Sequence, residues 1–383
     1  MLPSHLHNLC DRGTRRRMST FSDLVLRAPR KVLWPVEPGA FRLFLAMLVF
    51  VNHYSSVGIG GYAVYVFFVL SGFWVQTMWT ARYSRARNPY FTYLVSRLWR
   101  LSPVMVLVSL ITIVLLPLAG IPVEKVFATP PLLLALSTTF LLGYSWLPYG
   151  PVGSAWSLDV EMQFYIVAPL LAMAVANARG RIVLLIAAAV CSAIFAVLPH
   201  VFHVLPATPI LPKYVFFFVV GMIAACMKWQ PSGRLASWSA VAFFLLVVVL
   251  VLTPWRDLLI GGANPTARHQ LLNQPYNVVL ALTSIPFAIY TTRQKSDATD
   301  RMMADLSFIV YLAHWVGMQW FFQIKEPFSK RLMVAAICFA VVPVVSWLIW
   351  RYFDRPINRA RARWVESRID AAPRAVISEP AAP

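Results

Sequence analysis

The chain has 383 residues, of which 59% are hydrophobic and 13% are charged, and its mean hydropathy is +0.65. This composition is far from that of a soluble globular domain and indicates a polytopic membrane protein. A formal net charge of +19 could suggest nucleic acid, but the Lys and Arg residues cluster between apolar segments. There they set the orientation of the chain and contact anionic lipid, so we expect membrane lipid and no nucleic acid among the partners.

The cysteines and the N-terminal segment exclude several other classes. Cys10 lies in a basic segment, Cys191, Cys226 and Cys338 lie in apolar stretches, and no CxxC pair occurs. We therefore predict neither a disulfide nor a metal site. Residues 1–36 form a basic tail whose arginines are not closely followed by an apolar segment, so we expect no cleaved signal peptide and a cytoplasmic tail.

Ten apolar segments have the length of membrane-spanning helices. They are residues 41–57, 62–80, 102–120, 156–178, 182–199, 212–228, 236–253, 277–292, 305–323 and 331–350. An eleventh segment, Pro131–Trp146, is short, and a helix-breaking run, LPYGPVGS, follows it. We predict that it re-enters the outer side without crossing.

This topology leaves both termini in the cytoplasm and places most of the Lys and Arg residues there, whereas counting the short segment as a crossing divides them almost evenly. The predicted fold is an all-α polytopic membrane protein with about ten spans and one re-entrant segment. Its membrane domain covers residues 37–356, and residues 357–383 are predicted to be a cytoplasmic tail without fixed structure.

The first span contains two ionisable residues, Arg42 and His53. Such residues are costly in a membrane helix and suggest function, although Arg42 would also suit an interfacial anchor and His53 a buried, hydrogen-bonded side chain. They are eleven positions apart, roughly 17 Å along a helix and only some 20° from facing the same way. One face of the first helix can therefore present both.

A second unusual segment, SAWSLDVEMQFY, places Asp159 and Glu161 near the start of an apolar helix. Asp159 also fits an ordinary helix start, where the helix dipole favours an acid. Glu161 is predicted to lie about a turn and a half below the outer surface, at a depth similar to that of His53. This placement predicts that Glu161 orients the imidazole of His53, which acts as a general base for a hydroxyl.

Several motifs, taken in chain order, point to one family. They are an Arg and a His separated by ten intervening residues, FFxLSGF, RxxR with a nearby Pro, WSLxxExxFY, YLxH and a closing Y-x-x-E-x-P-like element. Their residues here are Arg42 and His53; Phe67–Phe73; Arg97, Arg100 and Pro103; Trp156, Ser157, Leu158, Glu161, Phe164 and Tyr165; Tyr311, Leu312 and His314; and Tyr352–Pro356. In these motifs the chain resembles the acyltransferase-3 family of integral membrane acyltransferases.

Two motifs depart from the family pattern. Glu37–Phe41 stands where the family carries an Asp-Gly-Leu-like stretch, and Asp354 stands where the closing motif carries a glutamate. We assign no role to an acid at either position from the sequence.

The resemblance implies transfer of an acyl group, most often acetyl, from cytoplasmic acyl-CoA. The acceptor is a hydroxyl of a cell-envelope glycan, polysaccharide or lipid-linked sugar at the outer face of the plasma (inner) membrane. Arg97 and Arg100, three residues apart on one helical face, suit the phosphates of CoA, although they would also serve as positive-inside anchors. Arg42 lies deeper and suits the pyrophosphate or the pantetheine arm. The residues predicted to line the substrate path are Trp156, Asp159, Tyr165 and His314.

Two other classes of protein fit parts of this pattern. A transporter or flippase for a glycan or lipid carrier would also have many spans and buried polar groups, although no inverted repeat is evident. A non-catalytic membrane scaffold would not need ionisable residues at matched depth. Within the enzyme hypothesis, both direct transfer and a covalent acyl-histidine relay stay open.

Overall fold

The computed structural model of the chain describes residues 36–202, 208–261, 265–324 and 328–370, and within these ranges it is helical and contains no β-strand. The helices are α1 (Pro38–Tyr54), α2 (Gly60–Ala81), α3 (Pro89–Leu115), α4 (Pro131–Phe140), α5 (Trp156–Ala174), α6 (Ala178–Phe202), α7 (Leu211–Cys226), α8 (Gly233–Leu252), α9 (Ala267–Thr291), α10 (Ala298–Gln323), α11 (Phe328–Ile349) and α12 (Arg355–Asp370). The all-α prediction is thereby confirmed.

A helix lies on each of the ten segments predicted to span the membrane, namely α1 to α3 and α5 to α11. Six of these, α2, α3, α5, α6, α8 and α11, combine membrane-spanning length with an apolar composition. Helices α1 and α7 are short, with 17 and 16 residues, while α9 and α10 carry more polar residues. The structure therefore supports a multi-pass membrane protein, and the count of ten crossings stays a prediction.

Helix α4 is too short to cross a bilayer. Its ten residues extend about 15 Å, half of a hydrocarbon core of about 30 Å. The chain reverses after it at Leu141 and Gly143, whose φ angles of 56° and 71° lie in the left-handed region. This geometry supports the prediction of a re-entrant segment.

Helix α5 begins deep inside the helix bundle. The Ser154 hydroxyl donates to the carbonyl oxygen of Tyr311 at 3.1 Å, and the Ser157 and Tyr311 hydroxyls are 2.6 Å apart. Tyr311 lies near the middle of α10, and Gly153 packs so closely against the Trp315 ring that a Cβ at that position would overlap it. The loop after α4 therefore carries the chain inward before α5 starts, instead of leaving the first residues of α5 at the outer surface.

Helices α2 and α7 pack backbone to backbone at a pair of glycines. A Cβ at Gly72 would overlap the backbone of Phe218, and a Cβ at Gly221 would overlap the backbone of Val69. Small residues of this kind let helices in a membrane approach closely. This contact fixes α2, which carries several of the cavity residues described below.

The structure of the C-terminal segment differs from the prediction. The sequence predicts no fixed structure from residue 357, but α12 covers Arg355–Asp370 after a π-helical turn (Trp350–Asp354), so the prediction is wrong for residues 357–370. The Arg87 amide donates to the Arg368 carbonyl at 2.8 Å, and Trp99 packs against Trp364. Backbone and aromatic contacts therefore dock this polar helix; residues 1–35 and 371–383 lie outside the described residues.

The predicted topology can be tested with reporter fusions. We expect a reporter fused after Gly180 to be cytoplasmic and one fused after Gly261 to be external, because α4 does not cross while α6, α7 and α8 all do. Alkaline phosphatase and green fluorescent protein activities at each fusion site measure the side. The opposite assignment at both sites would show that α4 crosses the membrane.

Candidate functional site

A cavity of about 110 Å³ lies between α1, α2, α3, α5 and α10. We call it the inner cavity, because Arg42 and Arg97 lie in the halves of α1 and α3 that the predicted topology places toward the cytoplasm. Its ionisable and hydroxyl-bearing residues are Arg42, Ser71, Arg97, Ser157, Glu161, Tyr165, Ser307 and Tyr311. This volume is large enough for several water molecules or one anionic group but too small for a whole nucleotide.

The carboxylate in this cavity is held by hydroxyl groups. Glu161 Oε1 accepts hydrogen bonds from the Ser71 hydroxyl at 2.7 Å and from the Tyr165 hydroxyl at 2.6 Å. These partners come from α2 and from the next turn of α5, so the position of the carboxylate depends on both helices. Ser71 therefore has a role beyond close packing, which its small size alone does not predict.

Two guanidinium groups share the cavity, and neither is ion-paired to an acid in the described part of the chain. Within the described residues, the Nε atoms of Arg42 and Arg97 are buried without a hydrogen-bond partner, and neither side chain forms an ion pair. The rings of Tyr83, Tyr93 and Tyr165 surround the Arg97 guanidinium at 5.5–5.6 Å. Since a buried cation is costly unless it meets negative charge, this cavity is suited to an anionic ligand.

Arg100 has a different environment from Arg97. Its guanidinium forms ion pairs with Asp305 at 2.8 Å and with Asp354 at 3.2 Å, and it is not among the residues that line the inner cavity. The geometry thus distinguishes the two arginines of the RxxR motif, since Arg97 lines the cavity and Arg100 does not; CoA binding by Arg100 stays a prediction. The two acids paired with Arg100 are distant from it in sequence: Asp305 lies on α10 and Asp354 on the π-helical turn.

The histidines form a pair of their own at the other end of α1. His53 Nδ1 lies 3.0 Å from His314 Nε2, and the Trp315 ring meets the His53 ring edge-on at 5.1 Å. The predicted contact between His53 and Glu161 is therefore wrong, since Glu161 is bonded to Ser71 and Tyr165 instead.

Hydrogen-bond partners assign the protonation of both imidazoles in their neutral forms. His314 Nδ1 lies 3.1 Å from the Val310 carbonyl oxygen, which can only accept, so this nitrogen carries the proton. His314 Nε2 then accepts from Nδ1–H of His53, which leaves His53 Nε2 with a free lone pair. His53 is partly exposed while His314 is fully buried, so the pair presents one accessible base.

The depth of α5 explains why Glu161 and His53 do not meet. Ser154 is bonded to Tyr311, and Glu161 follows seven residues later, about 10 Å further along the chain. Later on α5, the Ile166 carbonyl accepts from Tyr90, near the start of α3. His314 lies beyond Tyr311 in the opposite direction, because α10 runs antiparallel to α5. The predicted contact between His53 and Glu161 required α5 to start at the outer surface, whereas α5 starts inside the bundle beside Tyr311.

The four predicted lining residues have separate locations. Tyr165 lines the inner cavity, whereas Trp156, Asp159 and His314 do not. Trp156 packs against Tyr214 with the ring centroids 5.5 Å apart. Asp159 is fully buried and accepts from the Gly143 and Ser145 amides and the Gln163 side chain, so it anchors the re-entrant loop.

The turn that follows His53 is held by amide side chains of α9. Asn273 and Asn277 both donate to the Gly58 carbonyl, at 2.8 and 2.9 Å, and Asn277 accepts from the Tyr62 amide at 2.8 Å. These contacts satisfy backbone groups between two apolar helices and fix the end of α1. The polar residues that interrupt the apolar pattern of α9 are the sequence signal for this support.

A second, larger cavity of about 290 Å³ lies between α1, α2, α8 and α9. It is lined by Val36, Phe41, Phe44, Tyr62, Ala240, Phe243, Phe244, Ser284 and Phe287. Apart from two hydroxyl groups this lining is apolar, and it offers no cation to an anionic ligand. Among the described residues, no group of three or more His, Cys, Asp or Glu side chains is arranged to hold a metal ion.

Comparison with known proteins assigns the chain to a family. A family model described as an acyltransferase domain matches residues 35–351. The chain therefore belongs to the acyltransferase-3 family, which confirms the assignment predicted from its motifs. No curated protein and no solved structure matches the chain. Family membership and six apolar helices of membrane length together support a multi-pass membrane acyltransferase.

Asp159 offers a test of the difference between an anchor and a substrate contact. We expect Asp159→Asn to lower the free energy of unfolding by about 1–3 kcal/mol, because the side-chain NH2 group of the asparagine would face a backbone N–H donor. The affinity for acetyl-CoA, the predicted donor, should stay unchanged. Thermal unfolding of purified protein measures the effect, with the exposed Glu124→Gln as a matched control. Wild-type stability combined with lost activity would instead place Asp159 in the substrate path.

Proposed function

We propose that this protein is an O-acyltransferase that moves an acyl group, most simply acetyl, from cytoplasmic acyl-CoA to a hydroxyl at the outer face of the plasma membrane. The acceptor class is a cell-envelope glycan, polysaccharide or lipid-linked sugar. One observation carries the proposal. Among the described residues, two guanidinium groups with no ion-paired acid line the inner cavity near the N-terminal end of α1, and an imidazole with a free lone pair lies at its C-terminal end.

The inner cavity supports a phosphate-bearing donor. Arg42 and Arg97 can donate charge-assisted hydrogen bonds to phosphate oxygens, and Glu161 offsets one of their two charges when the donor is absent. The cavity admits one anionic group, so the nucleotide stays on the cytoplasmic side while the narrow arm of CoA extends toward His53. The two ends of this path, Arg42 and His53, are roughly 17 Å apart along α1.

The histidine pair supports direct general-base chemistry. Nε2 of His53 takes the proton from the acceptor hydroxyl as its oxygen bonds to the acyl carbon, and the carbon–sulfur bond then breaks. His53 gives the same proton to the departing thiolate, so no net charge stays in the site. His314 keeps the ring in the reactive tautomer through its bond to Nδ1.

The histidines can be tested by separating chemistry from donor binding. We expect His53→Ala to lower kcat by about 10²–10⁴, His314→Ala to lower it by a smaller factor, and the double variant to be no worse than His53→Ala. Mass spectrometry of envelope glycans from cells expressing each variant measures transfer, and acetyl-CoA binding by purified protein is the control. Full transfer by well-expressed His53→Ala protein would contradict the mechanism and favour the transporter hypothesis.

The two arginines of the RxxR motif are expected to behave differently. Arg97→Gln should weaken acetyl-CoA binding by about tenfold or more, because charge-assisted hydrogen bonds are lost, while the protein stays as stable as the wild type. Arg100→Gln should mainly destabilise the protein, because Asp354 would stay buried without its cation. Calorimetric titration and thermal unfolding measure the two effects. Unchanged acetyl-CoA affinity in Arg97→Gln would remove Arg97 from the donor site.

A further inference from the structure

Arg361 joins the C-terminal helix to the start of α3. Its Nη1 donates to the Ser96 hydroxyl at 2.9 Å, and its Nε donates to Asn358 Oδ1 at 3.1 Å. The fork of a guanidinium donates to these two acceptors from separate nitrogens, whereas a lysine ammonium offers only one nitrogen. Arg361 does not line the inner cavity, so any influence on that cavity must pass through its partners.

One path of contacts runs from Arg361 to Arg97. The Ser96 hydroxyl lies 2.8 Å from the hydroxyl of Tyr83, and both side chains are buried. The Tyr83 ring packs on Tyr93 with centroids 5.4 Å apart, and the Arg97 guanidinium lies 5.5 Å from each of these rings. Arg97 is therefore surrounded by aromatic rings, and the Ser96 hydroxyl that contacts Tyr83 also accepts a hydrogen bond from Arg361.

A second path runs from Arg361 to Arg100. Asn358 donates through Nδ2 to Asp354 Oδ1 at 2.8 Å, and the Asp354 carboxylate is paired with Arg100. Asp354, which stands in place of the usual glutamate of the closing motif, therefore links Arg100 of α3 to α12. One side chain of α12 thus connects with the surroundings of both RxxR arginines.

We propose that Arg361 is a positioning residue for the donor site, which sets the tyrosine rings around Arg97 so that its guanidinium faces the inner cavity. This inference rests on the proposed function, because the effect is on donor binding. The helix itself has other contacts, since Arg87 is bonded to Arg368 and Trp99 packs against Trp364. Loss of Arg361 therefore leaves α12 docked and loosens the Arg97 site.

The test compares full-length Arg361→Gln, Arg361→Lys and Arg363→Gln, the last being an exposed arginine of the same helix. We expect Arg361→Gln to raise the Kd for acetyl-CoA about tenfold, as for one charge-assisted hydrogen bond, while kcat at saturating donor stays at the wild-type value. Arg361→Lys should fall between the two, and Arg363→Gln should match the wild type. An unchanged Kd in Arg361→Gln with reduced thermal stability would show that Arg361 only anchors α12.

A double variant separates positioning from direct contact with the donor. In an Arg97→Gln background, Arg361→Gln should add no further loss of acetyl-CoA affinity, because both changes act through the same guanidinium. An additional tenfold loss would show that Arg361 itself binds the donor and would overturn the positioning role.

A milder variant tests the same path if Arg361→Gln does not fold. Tyr83→Phe keeps the ring and removes only the contact with Ser96, and we expect it to raise the Kd for acetyl-CoA as well. A wild-type Kd in Tyr83→Phe would break the path. If the wild-type protein itself does not bind acetyl-CoA, the proposed donor is wrong; if it binds while Arg361→Gln binds equally well, only this inference fails.

Discussion

A charge buried between apolar helices must either be compensated inside the protein or meet a charged ligand. This requirement divides the ionisable residues of the bundle into those with a compensating partner and those without one in the described residues. Arg100 is compensated by two carboxylates, Asp159 by amide donors and Glu161 by hydroxyl groups. Arg42 and Arg97 have no such partner among the described residues, which is why the donor proposal depends on the inner cavity.

The same constraint explains how the two ends of the site are kept apart. The loop before α5 is fixed by Asp159 and by the contact of Ser154 with α10, so α5 starts beside the middle of that helix. Glu161 then shares a cavity with the arginines, while the histidine pair stays at the far end of α1. The Tyr311 ring lines the inner cavity and lies 6.1 Å, between centroids, from the His314 ring. The arrangement supports transfer along a path rather than chemistry within one compact pocket.

The hydrophobic pattern was sufficient to predict the helical fold, because every long apolar segment became a helix. It could not predict α12, since this helix is polar and docks through hydrogen bonds and one tryptophan contact. A local sequence pattern also could not predict which residues from distant segments contact each other. The pairing of Arg100 with Asp305 and Asp354 joins three separate segments, although spacing alone made Arg97 and Arg100 equivalent.

The site was predictable in its residue types but only partly in its pairings. The motifs singled out Arg42, His53, Arg97 and Glu161, and three of these residues line the inner cavity. The partner of His53 was assigned incorrectly, because depth was counted from a helix start that lies inside the bundle. The sequence predicts His314 only as a residue lining the substrate path, whereas the structure shows it bonded to His53.

The most direct test of the account is an electron cryomicroscopy structure of the protein bound to CoA. We predict phosphate density against the guanidinium groups of Arg42 and Arg97, with the thiol end of the arm extending toward His53 Nε2. Density with the phosphates elsewhere, or with the thiol on the cytoplasmic side of the arginines, would contradict it.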